Sequence, residues 1–251
     1  MFFSADDLLD CKILARDDEL GSVQDVYFDD QDWAARYLVV DTGGWLSGRR
    51  VLISPVASGP VDLESHRLPV HLNRAQIEES PPFDTVLPVS RQKEMEMTQY
   101  FGWPAYWGYG APPGEAVPMA PVSAARASAG SAMAPESRAE PQLRSMREVT
   151  GYRIEAKNGQ IGHVEDFLIE QETWKIRYLV VDTGALLPGK KVLLAPLWID
   201  WIRWSERAVR ADVGVEQIRS APAFDNKTAL TRDYELAVFE HYSRPRYWRD
   251  E

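Results

Sequence analysis

The sequence RYLVVDTG occurs twice in this chain, at Arg36–Gly43 and again at Arg177–Gly184. The two copies lie 141 positions apart in a chain of 251 residues. When the chain is aligned with itself at that offset, identical residues meet along both copies without an insertion: Ser4 and Ser145, Gly21 and Gly162, Asp25 and Asp166, Trp33 and Trp174, Pro55 and Pro196, Tyr106 and Tyr247, and Trp107 and Trp248. This correspondence indicates a duplicated domain.

The duplication predicts three segments. Repeat 1 covers residues 1–107, repeat 2 covers residues 145–251, and residues 108–144 connect them. The connecting segment is rich in Ala, Pro, Ser and Gly, and such a composition cannot bury enough apolar surface to offset its ordering entropy. We therefore expect a flexible linker, with a reach on the order of 35 Å that lets the two repeats face each other.

Each repeat is divided into short apolar runs by Gly, Asp and Asn residues. The run inside RYLVVDTG is β-branched and nearly all apolar, which is typical of a strand buried on both faces. Asn158-Gly159 in repeat 2 is a strong hairpin signal. Five or six short strands at this spacing predict a mainly β fold, with one small, strongly curved sheet or barrel per repeat.

Two helices and an aromatic tail follow the predicted strands of each repeat. Asn73 is placed to begin a short helix that Pro81 ends. A longer C-terminal helix is predicted after Ser90 in repeat 1 and after Thr231 in repeat 2. The aromatic tail is GWPAYW in repeat 1 and SRPRYW in repeat 2.

Several short motifs recur in the same order in both repeats. They are Gly-x-Val-x-Asp in one strand, an apolar strand ending in an acid, a basic and apolar strand ending in Pro, a Gln-Ile turn, and Phe-Asp before the last helix. This order resembles the PRC-barrel domain, the small β-barrel in the cytoplasmic part of the photosynthetic reaction-centre H subunit, to which a barrel of a ribosome maturation factor is related. The resemblance is nearest to bacterial tandem PRC-barrel proteins with Tyr-Trp tails. It implies two barrels and binding to partner proteins, and it does not imply an enzyme.

Composition excludes several classes of function. The net charge of −10 and the pI near 5 disfavour nucleic-acid binding, which requires clustered Lys and Arg. No apolar stretch has the roughly 18 residues of a membrane span, so we expect none, and the role of the membrane-anchored H subunit is disfavoured. With Cys11 as the single cysteine, an intrachain disulfide is impossible. No signal peptide is recognised, and we expect a cytoplasmic location.

The motifs that suggest a cofactor or a metal are incomplete. The stretch Gly184–Lys191 approaches a phosphate-binding loop, but Lys191 replaces the hydroxyl residue and a strand follows it. The acidic runs lack the spacing of a calcium loop, and no histidine meets another in the repeat alignment. We expect neither a cofactor nor a metal.

Two acids are kept in both repeats, as the pairs Asp25/Asp166 and Asp41/Asp182. A general acid–base pair in each barrel is one interpretation. The other is structural, since Asp at strand ends commonly accepts backbone N–H bonds in turns.

The predicted site residues fall into two groups, for partner binding or for packing between the repeats. The first group is the aromatic tails, which would form a sticky surface if left exposed. The second is two basic pairs that could engage an acidic partner or an anionic head group. The residues are Trp103, Tyr106, Trp107, Tyr242, Tyr247, Trp248, Arg49, Arg50, Lys190 and Lys191.

These observations favour a non-catalytic binding or scaffold protein that presents two barrel surfaces to a protein partner, whose identity the sequence leaves open. A small-molecule or anionic-lipid-surface binder, which would use the space between the barrels and the basic pairs, is the alternative. An enzyme using the repeated Asp residues is a third. Intramolecular pairing of the repeats, as a covalent pseudo-twofold dimer, is compatible with all three.

Overall fold

The computed structural model describes residues 1–46, 48–83, 89, 91–106, 143–184, 189–226 and 230–248. Repeat 1 and repeat 2 each form one sheet. Most neighbouring strands in both sheets are antiparallel, and one pair in each sheet is parallel. The prediction of a mainly β fold is confirmed.

The sheet of repeat 1 contains five strands from its own sequence. They are β2 (Lys12–Leu14), β3 (Glu19–Asp29), β4 (Ala34–Asp41), β5 (Arg50–Ile53) and β6 (Arg67–Pro69). The strand order is β5-β4-β3-β2-β6, with β2 and β6 parallel. The predicted strand in RYLVVDTG is β4, and four consecutive side chains in it are buried, as expected for a strand covered on both faces.

The sheet of repeat 2 has the same topology. Its strands are β8 (Arg153–Ala156), β9 (Gly159–Glu170), β10 (Ile176–Asp182), β11 (Lys191–Leu194), β12 (Ile199–Arg203) and β13 (Ala208–Ala211). The order is β11-β10-β9-β8-β13-β12, with β8 and β13 parallel. The hairpin predicted at Asn158-Gly159 joins β8 to β9. The counterpart of β12 in repeat 1 is reduced to two isolated bridges, Ser58 with Val70 and Asp62 with Arg67, which match the first and last pairs of β12 with β13.

In the described part of the chain, the named strands do not close either sheet into a barrel. Strands β5 and β6 lie at opposite ends of the ladder of repeat 1, and β11 and β12 lie at opposite ends of that of repeat 2. Short 3-10 turns at Pro55–Ala57 and Pro196–Trp198 follow β5 and β11. Each repeat thus forms one β-rich sheet, in agreement with the prediction of one small, strongly curved sheet or barrel per repeat.

Six helices accompany the sheets in the described residues: α1 (Ala5–Leu8), α2 (Arg74–Glu78), α3 (Arg91–Phe101), α4 (Met146–Val149), α5 (Val215–Ser220) and α6 (Arg232–His241). The predicted caps are confirmed for α2 and α6. Asn73 accepts from the backbone N–H of Gln76, and Thr231 accepts from that of Tyr234. The predicted cap Ser90 lies outside the described residues.

A glycine in each repeat permits a close crossing between two strands. Gly21 has φ +116° and Gly162 has φ +64°. A Cβ atom at Gly21 would lie 2.0 Å from the carbonyl oxygen of Asp41, and one at Gly162 would lie 1.7 Å from that of Asp182. Because only glycine avoids this overlap, these positions explain the Gly in the repeated Gly-x-Val-x-Asp motif.

The repeats exchange their first strands. Strand β1 (Phe2–Ser4) belongs to repeat 1 in sequence but pairs with Leu168–Glu170 of β9 in repeat 2. Strand β7 (Leu143–Ser145) pairs with Tyr27–Asp29 of β3 in repeat 1. We call β1 with α1 the first arm and β7 with α4 the second arm. The two registers are equivalent under the 141-residue offset, so the exchange is reciprocal.

A symmetric pair of backbone hydrogen bonds lies between the repeats. The N–H of Ala35 donates to the carbonyl of Trp174 at 2.9 Å, and the N–H of Ile176 donates to that of Trp33 at 2.8 Å. Both tryptophans adopt a left-handed backbone, with φ 51° and 55°. The repeated Trp therefore directs a carbonyl toward the other repeat, and the chain folds as a pseudo-twofold pair.

The exchange corrects the predicted segment boundaries. Leu143 and Arg144 form a strand, so they belong to the folded part and not to the linker assigned to residues 108–144. Residues 107–142 lie outside the described residues, and the linker prediction is untested there. In the described part of the chain, no helix combines the length and hydropathy that crossing a membrane requires.

Candidate functional site

The tail of repeat 2 packs on its own repeat. Tyr242 is buried, and its ring lies 4.6 Å from that of Trp198. Trp248 meets the ring of Phe239 edge-on at 5.1 Å, and Tyr247 lies 5.9 Å from the same ring. Helix α6 and the tail thus enclose an aromatic cluster.

The tail of repeat 1 packs against α3 and β4. Trp103 stacks on Phe101 with ring centroids 4.2 Å apart and lies 6.5 Å from the ring of Tyr37. The guanidinium group of Arg36 covers the ring of Tyr106 at 3.8 Å. Trp107 lies outside the described residues. The predicted tail residues that the structure describes are therefore half-buried or buried on their own repeats.

A buried carboxylate in repeat 2 connects the tail to the sheet. Glu235 on α6 is 1% exposed. Its Oε1 atom accepts from the hydroxyl groups of Tyr178 at 2.8 Å and Tyr247 at 2.7 Å. Its Oε2 atom pairs with Arg232 at 2.9 Å. The charge is thus compensated by one cation and two hydroxyl donors, as burial of a carboxylate requires.

The equivalent carboxylate in repeat 1 is compensated less fully. Glu94 is also 1% exposed, and it accepts from the hydroxyl of Tyr106 and contacts Arg91 at 3.1 Å. Among the described residues, its Oε1 atom, which faces Arg91, accepts no hydrogen bond, and burial raises the pKa of Glu94 to about 7. Sequence reasoning missed both clusters, although Tyr37, Glu94 and Tyr106 meet identical residues in the repeat alignment. An acid on an amphipathic helix usually faces solvent, so neither Glu94 nor Glu235 stood out in the sequence as a buried residue.

The basic pairs have intramolecular roles. Arg49 donates to the carbonyl of Glu78 at 3.0 Å, and Lys190 donates to the equivalent carbonyl of Arg219 at 2.7 Å. The first member of each pair therefore holds the end of α2 or α5. Lys191 pairs with Glu165 at 2.5 Å. Arg50 begins β5 and is exposed.

The repeated acids accept backbone hydrogen bonds. Asp41 accepts from the N–H of Gly43 at 2.8 Å, and Asp182 accepts from that of Gly184 at 2.6 Å. These are turns at the ends of β4 and β10, and they match the structural interpretation of this pair.

The second pair of repeated acids caps the exchanged arms. Asp25 accepts from the hydroxyl of Ser145 at 2.5 Å and from the N–H of Arg147 at 3.2 Å. Asp166 accepts from Ser4 and from the N–H of Asp6, the latter at 3.2 Å. Burial raises the pKa of Asp166 to about 6 and raises that of Asp25. Each carboxylate thus fixes the arm of the other repeat.

A groove of about 420 Å³ opens between the tail of repeat 1 and the turn Gln171–Trp174 of repeat 2. Its walls combine aromatic and proline side chains with polar ones. The first group includes Pro55, Pro60, Trp103, Pro104, Tyr106 and Trp174, and the second is Arg36, Ser54, Ser58, Thr98, Gln171, Glu172 and Thr173. Val56 on the same wall is 58% exposed. The groove therefore combines concave apolar surface with hydrogen-bonding groups.

The corresponding region of repeat 2 is filled. Phe239 takes the place of Thr98, and Trp198 takes the place of Ala57. Both aromatic side chains are buried, and their rings lie 5.2 Å apart. Two larger residues thus occupy space beside α6 that small residues leave beside α3.

Comparison with known proteins agrees with this fold. Residues 1–76 match the family model of the PRC-barrel domain. The match does not extend to repeat 2, whose likeness to repeat 1 rests on the aligned residues and on the shared topology. No curated protein matches the chain significantly. The motif order and the β-rich sheet of repeat 1 agree with this match, so residues 1–76 are similar to a PRC-barrel domain.

Proposed function

We propose that this protein is a non-catalytic binding protein whose repeat 1 accepts a segment of a protein partner in the groove beside its tail. The observation that carries the proposal is the groove itself, at whose residue Thr98 repeat 2 carries the larger, buried Phe239. A PRC-barrel domain, as a small β module often associated with protein interaction, supports the same class of function.

The chemistry of the groove suits a protein segment. Trp, Tyr and Arg are the residues most enriched where protein partners bind tightly, and Trp103, Tyr106 and Arg36 lie together here. The exposed Val56 extends the apolar wall toward the rim. Because one wall belongs to each repeat, a partner that enters the groove contacts both halves of the molecule.

The alternative of a small-molecule or anionic-lipid-surface binder used the space between the barrels and the basic pairs. Arg49 and Lys190 hold helix ends and Lys191 pairs with Glu165, so these cations are engaged within the protein. The enzyme hypothesis depended on the repeated acids, whose hydrogen bonds suit structural roles.

Equivalent exposed residues provide a test with an internal control. Val56 lies on the groove, and Leu197, which is 72% exposed, occupies the same position in repeat 2. We expect Val56→Asp to abolish capture of a stoichiometric partner from native lysate, because it places a charge on the apolar wall. Leu197→Asp should leave capture unchanged. Equal loss with both variants, or with neither, would contradict the proposal.

A second variant tests the groove without adding a charge. Thr98→Phe introduces the residue of repeat 2 and should fill the space beside Trp103. We expect the affinity for the captured partner to fall by at least about tenfold, which corresponds to ~1.4 kcal/mol. The measurement is calorimetric titration with the purified partner, and thermal unfolding of the variant confirms that it remains folded.

A further inference from the structure

The two arms differ in the residue that occupies the middle of the exchanged strand. The first arm carries Phe3 at this position, and the second arm carries Arg144. The registers are equivalent, since Phe3 lies opposite Ile169 and Arg144 lies opposite Phe28. The same site on each repeat therefore receives an apolar residue in one case and a cation in the other.

Repeat 2 receives Phe3 in an apolar site. Phe3 is 2% exposed, and its ring meets that of Trp174 at 5.4 Å in an edge-on arrangement. A charged side chain in this position would be buried without a partner, which is among the most costly changes in a protein interior.

Repeat 1 receives Arg144 in a site of different chemistry. The Nε atom of Arg144 lies 3.3 Å from Oδ2 of Asp30 on repeat 1, while its guanidinium group also covers the ring of Trp204, a residue of its own repeat 2, at 3.7 Å. The position equivalent to Asp30 is Gln171 in repeat 2, so only repeat 1 presents the acid. A phenylalanine arriving here would leave Asp30 without its cation.

We propose that Phe3 and Arg144 sort the arms, so that each repeat recognises the arm of the unlike repeat. The partner that fits either exchange site is then the complementary half, from the same chain or from a second copy of it. A like half does not fit, because it brings an unpaired acid to repeat 1 or a buried cation to repeat 2. This recognition is independent of the groove.

The test cuts the folded, full-length chain within residues 108–142, at an inserted protease site. The two halves differ in mass, so native mass spectrometry distinguishes unlike pairs from like pairs. We expect the cut protein to remain an unlike pair at micromolar concentration. Arg144→Asp should weaken this pairing by at least about tenfold on dilution, because it places two acids together. Adding Asp30→Arg should restore most of the affinity.

The control is Lys12→Asp, which makes the same change of charge at an exposed position of repeat 1. We expect it to leave pairing unchanged. If the Arg144→Asp chain does not fold, the neutral cycle of Arg144→Gln and Asp30→Asn measures the same coupling. Formation of like pairs by the unsubstituted protein, or failure of the double variant to exceed Arg144→Asp, would overturn the proposal.

Discussion

The two repeats share a topology, an exchanged arm and a buried acid, and they differ beside their C-terminal helices. Repeat 2 fills that space with Trp198 and Phe239, whereas repeat 1 has Ala57 and Thr98 and an open groove. The buried acids differ as well. The Glu235 carboxylate accepts hydrogen bonds from two tyrosine hydroxyl groups, whereas that of Glu94 accepts from one. Repeat 2 thus packs larger aromatic side chains beside its C-terminal helix, whereas repeat 1 leaves the groove open beside α3.

The largest expected effect comes from making repeat 2 resemble repeat 1. Trp198→Ala introduces the residue of repeat 1 at a position that is 3% exposed. We expect the free energy of unfolding to fall by about 3–5 kcal/mol, because the substitution leaves a cavity between Phe239 and Tyr242. Chemical denaturation measures the change. Leu197→Ala, at the adjacent exposed residue, is the control, and a similar loss in both variants would contradict this account of the difference.

A smaller effect concerns the pH dependence of Glu94. Because its pKa is raised to about 7 in the folded protein, the folded state binds the proton more tightly than the unfolded state does. The contribution of Glu94 to stability is therefore complete below about pH 4.5 and is lost as the pH rises to 7. Glu94→Gln removes this titration, so the variant should gain roughly 2–3 kcal/mol relative to the parent protein across that range.

Denaturation at several pH values measures the difference between Glu94→Gln and the parent. Glu96→Gln, an exposed substitution on the same helix, is the control. A constant difference between Glu94→Gln and the parent from pH 4 to pH 8 would show that the proton on Glu94 is not linked to folding.

The smallest expected effect on stability concerns Arg49 and Lys190, the two cations that bind carbonyl groups at the ends of α2 and α5. Arg49 donates to the carbonyls of Glu78 and Ser80, whereas Lys190 donates to that of Arg219 alone. We expect Arg49→Ala to cost about 1 kcal/mol and Lys190→Ala about 0.5 kcal/mol, since cations at helix C-termini contribute on this scale. Thermal unfolding of the two variants measures both, and the reverse order would contradict the assignment.

Local patterns in the sequence predicted much of the fold. The apolar run of RYLVVDTG is a buried strand, Asn158-Gly159 joins two strands, and Asn73 and Thr231 cap helices as expected. Each of these features depends on neighbouring residues, so the chain encodes it within a short window.

The exchange of arms was not predicted, because a three-residue strand carries no information about which sheet edge it joins. Ser4 and Ser145 were aligned, but their partners Asp166 and Asp25 lie 162 and 120 positions away. The groove was also missed, since it depends on side-chain volume at positions such as Thr98 and on residues of both repeats that the fold brings together. Thr98 carries no chemistry that marks it in a sequence.

The reciprocal exchange also constrains how the chain folds during synthesis. Strand β1 is synthesised long before its partner on β9, which ends at Glu170. In repeat 1, likewise, Tyr27–Asp29 of β3 stay without this partner until Leu143–Ser145 have been synthesised. The nascent amino-terminal half therefore leaves the ribosome with an unpaired edge and an unplaced apolar strand, so the interval before the second half emerges is the period when the molecule is most exposed to aggregation and to chaperones.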